Sequence, residues 1–147
     1  MDLDDTDWLV LAELQRDGRI SFAELARRVH LSASATTERV KRLEGLGVVE
    51  GYRAVVNLDA VGVTVLAVVR LRYFGNRHDP FVDYVRGHRQ VLECLRITGE
   101  DCYVLKIGAA SMPQLQEHVD DLARFGNTTT SVVYSQTLPQ RGPTGTP

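Results

Sequence analysis

The chain has 147 residues, 44% hydrophobic and 24% charged, the proportions of a folded protein rather than a disordered one. Seventeen Lys and Arg against nineteen Asp and Glu leave a formal net charge of -2. That balance excludes a uniformly basic nucleic-acid coat and an acidic solvating tail, but not a local basic patch. Apolar runs such as Val65–Val69 fall far short of the ~20 residues that cross a bilayer. The opening Met-Asp-Leu-Asp-Asp lacks the basic region of a secretory signal, and Cys94 and Cys102 form no CxxC pair. A reducing cytoplasm, with no membrane partner, is therefore expected.

In Asp4–Gln15 the apolar Trp8, Leu11, Ala12 and Leu14 recur at roughly helical spacing, and Asp4, Asp5 and Asp7 suit the positive end of the helix dipole. Asp17-Gly18 stops this helix. Ser21-Phe22-Ala23-Glu24 has the form of a capping box and opens a second helix of about nine residues carrying Ala23, Leu25, Ala26 and Val29. His30-Leu31 makes a tight connection. Ser32 then caps a third helix reaching about Leu46, with Thr36, Val40, Leu43 and Leu46 or Gly47 as its buried stripe. Three short helices with so brief a turn between the last two form a helix-turn-helix pattern.

Val48–Val56 reads as an extended arm or wing, which closes a first domain over residues 1–57, and 58–63 is a turn-rich linker. The second domain, 64–137, alternates strand and helix. The expected strands are Thr64–Tyr73, Val91–Thr98, Tyr103–Ala109 and Thr128–Gln136. A short helix with Pro80 in its first turn follows the first strand, and an amphipathic helix marked by Met112, Leu115, Val119 and Leu122 precedes the last. The order βαββαβ predicts a ferredoxin-like arrangement, so the fold class is α+β. The Gly- and Pro-rich residues 138–147 read as a disordered tail. In the first strand Val65, Ala67, Val69, Leu71 and Tyr73 can face the helices, yet Leu66 and Val68 on the other side are apolar too. Scattered surface apolar residues account for this, or a second copy of the chain covers that face; the second reading is preferred.

The net charge conceals a division. Residues 1–26 carry -5, residues 27–42 carry +4 from Arg27, Arg28, Arg39, Lys41 and Arg42 against Glu38, and residues 58–147 hold nine charges of each sign. The basic segment coincides with the turn and third helix. With Thr36, Val40 and Leu43 inward, Ser34, Thr37, Glu38 and Lys41 lie outward, flanked by Arg39 and Arg42. Small hydroxyls permit close approach to base edges, Arg reads guanine, and cations on one surface release condensed counterions from DNA. A lone basic helix is more often a solvated face; the capped helix and turn before it favour DNA.

Leu3-Asp4, Asp7, Leu11, Leu14-Gln15, Asp17–Ser21, Glu24–Ala26, Val29 and Leu31-Ser32, continuing through Glu38–Glu44, Gly47–Val49 and Gly51-Tyr52, form an ordered set that resembles the Lrp/AsnC, or feast/famine, transcription regulators. The resemblance runs from about residue 2 to 137. It implies a winged helix-turn-helix joined by an arm to a ferredoxin-like domain that senses amino acids. It further implies double-stranded DNA as partner, dimers formed through the sheets, assembly of those dimers into eight-chain octamers, and no cofactor besides an amino-acid effector held between dimers. Matching positions imply base or phosphate contact by Ser32, Ser34, Thr37, Arg39 and Arg42.

Thr98–Tyr103 resembles the family's ligand loop, Gly-Asp-aromatic-Asp-Tyr. Gly99, the acidic Glu100 and Tyr103 fit, whereas Asp101 replaces the aromatic and Cys102 the second Asp. Backbone N–H groups around Gly99 suit a carboxylate, and Asp101, or the hydroxyls of Thr129 and Thr130, suit an ammonium group. A plain hairpin turn with solvated carboxylates is the alternative. The histidines and cysteines lack metal-ligand spacing, and no hydrolase, Walker or dinucleotide motif occurs. An enzyme built on the second domain would need a nucleophile, base or cofactor cluster that the sequence does not display. A DNA compactor without an effector would use the same parts as a regulator.

Overall fold

The computed structural model describes residues 2–145. The chain divides into two compact units, one formed by residues up to Val55 with those from Leu138 onward, the other by Val56–Thr137.

The first unit contains α1 (Asp5–Arg16), α2 (Phe22–Arg28) and α3 (Ala33–Gly45). Val10, Leu11, Leu25, Val29, Val40 and Leu43 form its core, with Trp8 and Leu14 only partly buried beside them. Val10, rather than Ala12, joins Leu11 in the buried stripe of α1, with Asp7 one turn before Leu11 also on the inner side. The third helix buries Thr36, Val40 and Leu43 as expected; Leu46 and Gly47 are exposed. They close α3 instead: Gly47 sits at φ +70, with Val48 N–H donating to Leu43 O and Gly47 N–H to Glu44 O. This Schellman ending needs the left-handed conformation that glycine adopts without strain. The capping box is distributed differently from the sequence reading. Ser21 Oγ accepts from Glu24 N–H at 3.2 Å, but Glu24 turns to Arg27 and Arg28. The reciprocal box lies at α1, between Asp4 and Asp7.

Residues 48–57 hold no strand, and Tyr52 lies against Gly18 and donates to Glu44 Oε1 at 2.9 Å. Residues 139–145 hold no helix or strand, and they meet the helices where Gln15 Nε2 donates to Pro143 O and Arg53 to Gln140 Oε1. Thr146 and Pro147 of the expected tail lie outside the described residues.

The second unit is β1 (Val65–Tyr73), α4 (Asp79–Gly87), β2 (Val91–Arg96), β3 (Tyr103–Ala109), α5 (Met112–Ala123) and β4 (Gly126–Val132), after a 3-10 turn at Asp59–Val61. The sheet order is β2-β3-β1-β4, antiparallel throughout, the ferredoxin-like topology. Ala67, Val69 and Leu71 of β1 pack with Leu105 and Ile107 of β3 under Phe81 and Tyr84 of α4 and Leu115 and Leu122 of α5. The last strand begins two residues before the apolar signal, at Gly126, because a close approach to β1 fixes the register Tyr73↔Gly126. A Cβ there would stand 2.0 Å from Arg72 O. Gly126→Ala is accordingly expected to destabilise the second unit by about 2–3 kcal/mol, since backbone rather than a flexible side chain must move. Thermal melts check this; an unchanged midpoint would show that β4 shifts freely.

Candidate functional site

The helix-turn-helix is closed by backbone geometry. After α2, His30 takes φ 56 and Leu31 N–H donates to Ala26 O at 2.9 Å, so α2 ends in a tight turn that delivers Ser32 to the start of α3. Ser32 Oγ accepts from Ala35 N–H at 3.2 Å and lies 3.1 Å from Ser34 Oγ. The fully buried Thr36 donates to Ser32 O and fastens the first turn from inside. Thr37 donates to Ala33 O at 2.8 Å, leaving its hydroxyl oxygen able to accept. Ser34, Glu38 and Lys41 are exposed on the side away from Val40 and Leu43.

The arginines behave differently from a free basic patch. Arg39 donates to both carboxylate oxygens of Asp4, at 2.8 and 2.7 Å, and to Asp7 Oδ1 at 2.7 Å; Arg42 donates to Asp7 Oδ2. Asp7 is fully buried. Burial pushes its carboxyl up, but the hydrogen bonds from Arg42, Arg39 and the Asp4 N–H outweigh this and hold it below the ordinary carboxylate value. Arg27 and Arg28 are paired in turn with Glu24, whose carboxyl their hydrogen bonds pull down to about 2, and Arg28 also reaches Glu13. Of the five cations in residues 27–42, Lys41 is the one without a carboxylate at ion-pair distance among the described residues. Arg39 and Arg42 therefore tie α3 to the N-terminal turn of α1. The Arg42 side chain keeps 45% of its surface exposed, Arg39 only 24%.

The loop residues divide between the two faces of the sheet. Gly99 has φ +109, Ile97 N–H donates to Cys102 O, and Cys102 N–H donates to Leu71 O at 2.8 Å. Asp101 pairs with Arg70 at 3.7 Å and Glu100 with Arg72 at 3.6 Å. Thr129 stands opposite Arg70, on the face away from the helices, whereas Thr130 stands opposite the buried Val69. Successive strand residues point to opposite faces, so the two threonines cannot serve one ligand. Tyr103 also leaves the set, because its side chain is buried on the helix-covered side with its hydroxyl 2.7 Å from His78 Nδ1. The structure adds Arg70 and Arg72; their i, i+2 spacing in a strand already places both on one face. Among the described residues no group of three or more His, Cys, Asp or Glu could hold a metal ion, and no helix is long and apolar enough to cross a membrane.

The face away from the helices is apolar beyond Leu66 and Val68. Leu95 stands opposite Val104, which stands opposite Arg70, and Val63 and Leu92 lie over Gly108, the partner of Leu66. Leu92 and Leu95 are 42% and 52% exposed.

Comparisons with known proteins agree with this architecture. The family model for the AsnC-type helix-turn-helix domain matches residues 3–44, and that for the Lrp/AsnC ligand binding domain matches residues 66–143. The HTH-type transcriptional regulator LrpC of Bacillus subtilis (strain 168) is 32% identical over 136 residues, covering 92% of this chain and 94% of that protein. The solved structure of B. subtilis LrpC superposes with a TM-score of 0.91 over 95% of this chain and all of that one, at 31% identity. A transcriptional regulator of Neisseria meningitidis solved in complex with L-methionine gives 0.88 at 31% identity, covering 94% of both chains.

Proposed function

The chain belongs to the Lrp/AsnC family of transcriptional regulators, and from that premise we propose how its two units divide the work. It is a DNA-binding regulator; α3 enters the major groove of double-stranded DNA with Ser34, Thr37 and Lys41 foremost and Ser32 at the leading end. The observation that carries this reading is the exposed stripe Ser34, Glu38, Lys41 set opposite the buried Thr36, Val40 and Leu43. Arg42 reaches a phosphate from its exposed edge, while Arg39 works from behind by holding the helix. The relatives are transcriptional regulators, and this chain acts in the cytoplasm without catalysing a reaction.

The second unit senses an amino acid or a related metabolite at the loop Gly99–Cys102. Arg70 and Arg72 supply cations for its carboxylate, Asp101 and Glu100 acceptors for its ammonium, and Thr129 a hydroxyl. The long ion pairs at 3.6 and 3.7 Å can open and each re-form on one end of a zwitterion. Two copies pair through the apolar sheet face, and dimers assemble further into octamers, with the effector between them. Ligand binding shifts this assembly only by favouring one arrangement over another.

Salt-dependent binding to the protein's own upstream DNA, measured with and without each amino acid, tests this division. Binding that falls with salt and responds to at least one amino acid is expected. Absence of DNA binding would return the enzyme reading, and indifference to every amino acid would favour a compactor. Gly99→Asp, which forces a side chain onto φ +109, is expected to abolish the response while DNA affinity stays within about twofold of the parent, below ~0.5 kcal/mol. A normal response in that variant would remove the loop from the effector site.

A further inference from the structure

A pocket of about 320 Å³ opens on the other side of the sheet from the loop carboxylates, between α4 and the strands β2 and β3. Its floor is apolar, made by Phe81, Val82 and Val85 of α4 with Cys94 of β2. Burial pushes the Cys94 thiol up, in keeping with a dry floor.

Two cations belong to its wall, Arg86 from the last turn of α4 and Arg96 from the end of β2. Neither has a carboxylate at ion-pair distance among the described residues, and no carboxylate lines the pocket. Arg70 and Arg72, by contrast, are both paired. Arg96 instead approaches His78 Nε2 at 2.9 Å, and Tyr103 Oη lies 2.7 Å from His78 Nδ1. A guanidinium only donates, so Nε2 must offer its lone pair and the ring proton must sit on Nδ1, donated to the tyrosine oxygen. The phenol O–H is thereby released to donate to another acceptor. Arg86, Arg96 and Tyr103 thus bring donors to a cavity that supplies no anion of its own.

We propose that this pocket binds a small organic monocarboxylate with a compact apolar body and no ammonium group. Its volume corresponds to about ten non-hydrogen groups at roughly 30 Å³ each, the size of a branched-chain 2-oxo acid or an arylacetate. The carboxylate answers the unpaired guanidiniums, a 2-oxo oxygen or second carboxylate oxygen accepts from Tyr103, and the body covers Phe81, Val82 and Val85. A zwitterionic amino acid of the same shape is rejected, because its ammonium would be desolvated beside two guanidiniums with no carboxylate to receive it. This site shares no residue with the pairs Arg70–Asp101 and Arg72–Glu100, and it stands whether or not an amino acid binds at the loop.

Calorimetric titration of the full chain with 4-methyl-2-oxopentanoate, phenylacetate and leucine tests the assignment. At least one of the two monocarboxylates is expected to bind in the millimolar range or tighter. Its affinity should fall about tenfold in Arg96→Gln, the loss of one charge-assisted contact, and stay unchanged in Asp101→Asn. Leucine should not compete with it. Arg96 is exposed and lies outside the buried cluster, so its substitution leaves the core intact. Should that variant nonetheless melt early, Arg86→Gln supplies the same comparison from the other wall. The proposal is overturned if neither monocarboxylate binds, if both arginine variants bind like the parent, if Asp101→Asn removes binding, or if leucine displaces the bound acid.

Discussion

Asp7→Ala is expected to lower the stability of the helical unit by about 3 kcal/mol and to abolish specific DNA binding at physiological temperature. Asp7 is buried, it closes the capping box of α1 by accepting from the Asp4 N–H, and it accepts from Arg39 and Arg42 of α3. Charge-assisted hydrogen bonds of this kind contribute about 1.5–3 kcal/mol each when desolvated, and breaking a buried pair costs about 3–5 kcal/mol. Both arginines reach solvent and Arg39 retains Asp4, which places the loss at the lower end of that range. The single tryptophan, Trp8, packs against the core of this unit, so its fluorescence in a urea titration reports the helical unit specifically. A midpoint equivalent to less than about 0.5 kcal/mol from the parent would show that the cluster is ornamental. The cluster also sets a pH limit. The carboxyls of Asp4 and Asp7 lie below the ordinary value in the folded protein, so each contributes stability that is complete above the unfolded value near 3.8 and is lost as pH falls through the folded one. The contribution of these two carboxyls to acid unfolding, monitored at Trp8, should therefore fall below about pH 4, and the Asp7→Ala chain should lose less stability over that interval.

This ion cluster marks the limit of what the sequence made legible. The stripes of α3, the turn before it, and the βαββαβ order follow from spacing and caps, which are local signals. Arg39 and Arg42 were readable as cations on a recognition helix, but their partners lie 32 to 35 residues away, and no spacing rule links them. Asp4, Asp5 and Asp7 satisfied a dipole argument equally well without revealing that Asp7 points inward. In the second unit the alternation of β1 was legible to the residue, whereas β4 was displaced: Gly126 and Asn127 carry no apolar signal, and tight approach to Arg72 decides where pairing begins. The loop was recognisable by Gly99, but its polar partners Arg70 and Arg72 come from a strand read chiefly for its apolar positions. Thr129 and Thr130 show the opposite error, two hydroxyls adjacent in sequence and separated by the thickness of the sheet.

The alternation of β1 carries the second large expectation. On the proposed pairing of two copies, Val68→Glu should leave a monomer at micromolar concentration and weaken DNA binding by about 10²–10⁴, the gain that linking two reading heads provides. Val68 lies mid-strand between Lys106 and Ser131, on the face that also carries Leu66, Leu92, Leu95 and Val104. A carboxylate there is solvated when the sheet stands alone, so the fold loses no more than about 1 kcal/mol of strand preference. Against a second copy the same carboxylate must be desolvated, and Lys106 beside it offers only a partial answer, because in a two-fold pairing two such charges are buried together. A penalty of about 4 kcal/mol raises the dissociation constant roughly a thousandfold. Sedimentation equilibrium reads the mass, and binding to one operator half-site against two reads the avidity. The half-site affinity should be unchanged, since nothing on α3 has been touched. If Val68→Glu keeps the parent's mass, the proposed pairing through the apolar face fails, and the exposed Val55 and Val56 of the arm become the surface to mutate next.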